Sequence, residues 1–124
     1  MNTSATIGVV VSLLVIALTA CTPSRPDAAT ALKLAKDATP LLTLCAEKQS
    51  IDQARWPSSF ASAGVESAYI GYAGLYIETD RVYVQESGVF LPCNPTTFVL
   101  ESITAEDPAF LEVGDGVFTY FIAG

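Results

Sequence analysis

The pattern of apolar and polar positions divides the chain into three stretches. From Ile7 to Ala20 the residues are almost continuously apolar, a run of 14 with no charged side chain. From Cys21 to Asp27 there are two prolines and no large apolar residue, which reads as an extended tether. From Ala28 onward the pattern is that of a folded domain. Leu34, Ala38, Leu41 and Cys45 recur at spacings of four, three and four, one face of a helix. Asp27 stands where an N-cap is needed. The spacing predicts a helical segment from Ala28 to about Gln49, broken at Thr39 or Pro40 because proline removes a backbone donor. Ser50-Ile-Asp-Gln53 has the form of a capping box for a short helical turn, and Trp56 to Phe60 reads as a loop.

Near Ser67 the period changes from helical to alternating. Leu75–Thr79 and Val82–Glu86 flank Asp80-Arg81 and predict a tight hairpin. In that register Leu75, Ile77, Val82 and Val84 share one face, while Tyr76, Glu78, Tyr83 and Gln85 share the other. Ser87-Gly88 reads as a turn into Val89–Leu91, and Thr97–Ile103 as a further strand. Phe110–Val113 and Val117–Ile122 flank Gly114-Asp115-Gly116, a second hairpin signal. Val117–Ile122 is apolar on both faces and belongs inside a sheet. Helix first and strands after give an α+β fold: an N-terminal helical segment packed on an antiparallel sheet of about five strands.

The leading apolar run has the length of a secretory h-region and is short for a bilayer span, which takes about 20 residues. It ends in Leu18-Thr19-Ala20-Cys21, small residues before a thiol. This resembles the lipobox of bacterial lipoproteins. The resemblance covers the first 21 residues and is silent on the domain behind them. It implies a signal peptide over residues 1–20, a lipidated Cys21 as the mature N-terminus, a tether over 21–27 and one small domain over 28–124. The basic residue that commonly precedes such a run is absent, so the α-amino group of Met1 supplies the positive charge. Thr22, rather than Asp, after the cysteine implies transfer to the outer membrane, with the domain facing the periplasm. An uncleaved anchor helix from about Ala5 to Thr22 and a buried core helix are the alternatives. Palmitate-like acyl chains contribute about 0.8 kcal/mol per buried CH₂, so two or more hold a protein stably on a membrane.

With Cys21 carrying lipid, Cys45 and Cys93 remain as one pair. An oxidising compartment outside the cytoplasm would close it into a disulfide. Two separate buried thiols are the alternative.

Charge narrows the function classes. The chain has 13 acids against 6 bases, a formal charge of -7, which argues against nucleic acid as a partner. The imbalance lies in the strand half, where Arg81 is the last base and Glu86, Glu101, Glu106, Asp107, Glu112 and Asp115 follow it. There is no histidine, so Ser-His and Cys-His catalysis and histidine-bound metals are excluded. No P-loop, Rossmann fingerprint or nucleophile elbow is present, and nothing implies a cofactor. Glu106, Asp107, Glu112 and Asp115 make at most a loose oxygen cluster without EF-hand spacing. Tyr76 and Tyr83, beside Glu78, are the candidate residues for an aromatic, acidic patch that suits a basic protein partner. Trp56, the single tryptophan, is a further candidate, though such a residue more often fills a core.

The expectation is therefore a non-catalytic envelope lipoprotein that binds another protein. The alternatives are an inhibitor or immunity protein masking a cationic toxin or lysozyme, and a small carboxylate-dependent hydrolase.

Overall fold

The computed structural model describes residues 22–98 and 107–124. The apolar leader, Cys21 and most of the expected Thr97–Ile103 strand lie outside them, as do Glu101 and Glu106. Helix α1 spans Ala28–Ala38 and is followed by a 3₁₀ stretch, Thr39–Leu44. Strand β1 is Gln49–Ser50, a 3₁₀ turn covers Gln53–Arg55, and helix α2 is Ser58–Ser62. Strands β2 (Ser67–Gly71), β3 (Gly74–Val82), β4 (Gln85–Pro92), β5 (Ala109–Gly114) and β6 (Val117–Ile122) follow among the described residues. The fold is α+β, as the pattern implies. Among the described residues the sheet has six antiparallel strands in the order β1-β2-β3-β4-β6-β5, in keeping with the expected sheet of about five.

Helix α1 starts where the sequence places it. The Asp27 carboxylate accepts from the Thr30 backbone N–H at 2.7 Å. That bond holds its carboxyl below the usual range. Ala31, Leu34, Ala35 and Ala38 are buried, the spacing of one helix face. At Thr39-Pro40 the helix tightens into the 3₁₀ stretch, where the missing proline N–H breaks the i→i−4 ladder. The disulfide Cys45–Cys93 ties the end of this segment to the loop after β4, across 48 residues of sequence.

Both faces of the sheet are covered. On one, α1 packs Ala31, Leu34 and Ala35 against Ile70, Leu75, Ile77, Val89 and Leu91. On the other, Tyr76, Phe90, Phe110, Phe118 and Tyr120 form an aromatic cluster, with Phe90 and Phe110 centroids 4.6 Å apart. Tyr69 stacks on Tyr76 at 5.0 Å, nearly parallel. Offset and tilted pairs of this kind contribute about 0.5–1.5 kcal/mol each beyond the area they bury. Strand β6 lies between β4 and β5, which accounts for its apolar residues on both sides.

Several local expectations are corrected. The β3–β4 hairpin turns at Tyr83-Val84, with Val82 opposite Gln85, and not at Asp80-Arg81. A bulge between Glu78 and Asp80 adds a residue to β3 and reverses the alternation beyond it. Val84 is therefore exposed and does not join the Leu75–Ile77 face. Ser87-Gly88 is no turn, because β4 runs through it. Gly88 is required by the close approach at the bulge, where a Cβ would stand 1.9 Å from the Ile77 carbonyl oxygen. The turn after Ser50 is capped by Asp52, which accepts from Ala54 N at 3.2 Å, while Ser50 belongs to β1. Part of the expected Trp56–Phe60 loop is the helix α2.

The stretch expected as a free tether is fastened to the domain. Ser24 N donates to the Asp80 carboxylate at 2.7 Å, and Ser87 Oγ donates to Ser24 O at 2.6 Å. Arg25 reaches Thr119 Oγ1 at 3.5 Å, and Pro23 is buried. The strap satisfies two polar side chains, Ser87 and Thr119, that the sheet buries.

Candidate functional site: a carboxylate–tyrosine latch behind the hairpin tip

The chemistry of the described residues gathers on the aromatic face at the root of the β3–β4 turn. The bulge turns Glu78 and Arg81 toward the same side, and the register sets Arg81 opposite Glu86. Glu78 and Glu86 are both buried. Arg81 bridges them, with Nε 2.5 Å from one Glu78 oxygen and Nη2 2.9 Å from one Glu86 oxygen. Ser67 Oγ donates to the other Glu78 oxygen. Tyr69 and Tyr120 donate their hydroxyls to the other Glu86 oxygen, at 2.6 and 2.5 Å. Two carboxylates and one guanidinium leave one net negative charge, spread over a fully hydrogen-bonded cluster.

The electrostatics follow from burial. Desolvation, then the bond to Glu86, pushes the Tyr69 and Tyr120 phenols far above their ordinary value. Burial and the nearby Glu86 charge push Tyr76 up to about 12. The Glu78 hydrogen bond raises the Arg81 guanidinium further. The phenols therefore stay protonated as donors through the physiological range.

This arrangement suits fastening better than reaction. A general acid or base needs an oxygen free to meet substrate. Here each carboxylate oxygen already accepts from a protein donor. Arg81 stands between the two carboxylates, where a hydrolytic pair would need room for substrate or water. A groove of about 370 Å³ lies elsewhere, between Leu32 and Lys36 of α1 and Leu91, Pro92 and Val117 of the sheet. Among the described residues no group of three or more Asp, Glu or Cys gathers to hold a metal. The Asp107 carboxylate accepts from Ala123 N at 2.9 Å.

The four candidate partner-binding residues are not brought together. Tyr76 and Glu78 are interior, one in the aromatic cluster and one in the latch, so the expected outward patch does not form. The pairing on one face is right, but that face carries the aromatic cluster and is not open to solvent. Trp56 is half-buried. Its indole donates to Ile51 O at 3.0 Å and its ring tilts against Phe60 at 5.6 Å, which makes it part of the core. Only Tyr83 is freely exposed, at the hairpin tip. Sequence reasoning missed Ser67, Arg81, Glu86 and Tyr120. The available signal was Arg81 itself, the single base among the acids of the strand half.

No known protein family matches the chain, and neither a curated protein nor a solved structure is significantly similar to it.

Proposed function

We propose that the protein is a bacterial envelope lipoprotein, held at the periplasmic side of the outer membrane by an acylated Cys21. Its small domain binds another protein without catalysing a reaction. The observation that carries this reading is Leu18-Thr19-Ala20-Cys21 at the end of the apolar run. Two further features support it. Cys45 and Cys93 lie within a disulfide, as suits an exported chain, leaving Cys21 as the odd thiol. The latch engages the two buried carboxylates, Glu78 and Glu86, in hydrogen bonds, which favours a binding role over hydrolysis.

A second reading, masking of a cationic protein, draws on the formal charge of -7 and on the exposed acids Glu112 and Asp115. Crosslinking and capture of the full-length protein from its native envelope tests both. A recovered partner whose binding weakens steeply between low and high salt favours the second. One that holds through salt favours the first. No specific partner under crosslinking contradicts both. The variant Cys21→Ser is expected to leave the membrane fraction or to accumulate as precursor. Unchanged membrane attachment would leave the uncleaved helix as the anchor.

A further inference from the structure

The strap and the hairpin tip lie at the same end of the molecule, and together they suggest how the domain sits on a lipid surface. Tyr83 and Val84 form the β3–β4 turn and are 92% and 67% exposed, an aromatic and an aliphatic side chain presented side by side to solvent. Tyr83 holds the left-handed region, φ 58°, a conformation usually left to glycine or asparagine. The opposite turn also pairs an exposed tyrosine, Tyr72, with a left-handed residue, Ala73 at φ 67°, so what sets the Tyr83 tip apart is its place beside the strap. The tip is rigid. Arg81 is locked by Glu78 and Glu86 directly behind it, and its Nη1 also reaches Tyr83 O at 3.5 Å.

The same hairpin grips the chain that leads to the acylated cysteine. Ser24 is bonded to Asp80 and Ser87, residues facing each other on β3 and β4. Cys21 is three residues before Ser24, and Tyr83 three residues after Asp80. At no more than about 3.6 Å per residue, each of those spans covers about 11 Å. The tip is thus held within about 25 Å of the lipidated residue. The opposite turn, which carries an exposed Tyr72, lies past the far end of β3, about 20 Å from Asp80 where the strap is held, against about 10 Å for the tip, at 3.3 Å per residue.

We propose that Tyr83 and Val84 rest in the head-group region of the bilayer, as a second, non-covalent contact that fixes the orientation of the domain. Tyrosine suits that depth because its ring is apolar and its hydroxyl stays hydrated. The inference rests on acylation of Cys21 and deepens that reading. With the tip at the membrane, the Tyr72 end of the sheet points into the periplasm.

The test uses the mature acylated protein, isotopically labelled, in nanodiscs of phosphatidylethanolamine and phosphatidylglycerol. A lipid spin-labelled at its head group is added, and backbone amide broadening is read residue by residue. The Tyr83 and Val84 amides are expected to broaden several-fold more than those of Tyr72 and Ala73. The pair Tyr83→Asn and Val84→Ser, which keeps a residue tolerant of positive φ, is expected to abolish that difference while the protein stays disc-bound. Equal broadening at both ends, or none at the tip, in a protein that remains disc-bound overturns this inference and leaves the lipoprotein reading standing. A selective broadening that survives in the paired variant assigns the contact to other residues and also overturns it. A chain purified without acylation and not retained by the discs overturns both.

Discussion

Arg81 gives the sharpest test of the latch. Replacing it with leucine leaves Glu78 and Glu86 buried together without their shared cation. Removing one partner of a buried ion pair costs about 3–5 kcal/mol. The Arg81 side chain is 43% exposed, so solvent already screens part of the attraction, and surface pairs are worth only about 0–1 kcal/mol. The carboxylates are the buried members, and their cost dominates. The expected loss for Arg81→Leu is therefore about 2–3 kcal/mol. For a domain of this size that is a fall in Tm on the order of 10–20 °C. Urea unfolding at neutral pH, with the disulfide intact, reads it directly. Adding Glu78→Gln and Glu86→Gln to the leucine variant is expected to recover part of the loss, since the stranded charges are gone. A loss below about 0.5 kcal/mol for Arg81→Leu, or no recovery in the triple variant, would refute the latch.

Other expectations follow from separate features. Removing the disulfide with Cys45→Ala and Cys93→Ala should cost about 4 kcal/mol by chain entropy, for a closure of 48 residues; thermal melts of the variant against the oxidised protein measure it. Gly88→Ala drives a Cβ into the Ile77 carbonyl, and soluble yield with urea unfolding should report a loss on the order of 3 kcal/mol. Tyr69, Tyr76 and Tyr120 are held above the ordinary phenol value of 10.0, so the unfolded chain ionises first as pH rises. The stability they confer is complete below about pH 10 and falls as pH climbs through 12 and beyond. Phenolate absorbance near 295 nm should then rise together with loss of near-ultraviolet circular dichroism for these buried rings. Ionisation of every tyrosine without unfolding would contradict their burial.

How much of this was legible in the sequence depends on whether one residue or a pairing decides. Helix α1 was legible because Asp27 and the i, i+3, i+4 apolar spacing act locally. The β5–β6 hairpin was legible because Gly116, at φ 70°, supplies a left-handed turn residue next to Asp115. The β3–β4 turn was not, for two reasons. Asp80-Arg81 has turn chemistry, yet Asp80 caps the strap and Arg81 bridges two carboxylates, so both stay in the strand. Tyr83-Val84 has no turn chemistry, yet it turns. The bulge after Glu78 shifts the phase, and a one-residue shift exchanges the faces of everything beyond it. The latch follows from that register, so no local window contains it. The outward tyrosine patch failed because the sheet is covered on both faces, a property of the layers and not of any strand. The tether reads as extended from its prolines, and its docking depends on Asp80, Ser87 and Thr119, which are 56, 63 and 94 residues distant from their partners.

The central claim is the lipid at the twenty-first residue. Intact-mass measurement of the full-length gene product, extracted from the membranes of a bacterial host that processes lipoproteins, tests it most directly. The account predicts a chain that starts at Cys21, carries the added mass of a diacylglyceryl group and its acyl chains on that residue, and retains two fewer hydrogens for the Cys45–Cys93 bond. A polypeptide of unmodified mass that still begins at Met1 would contradict it.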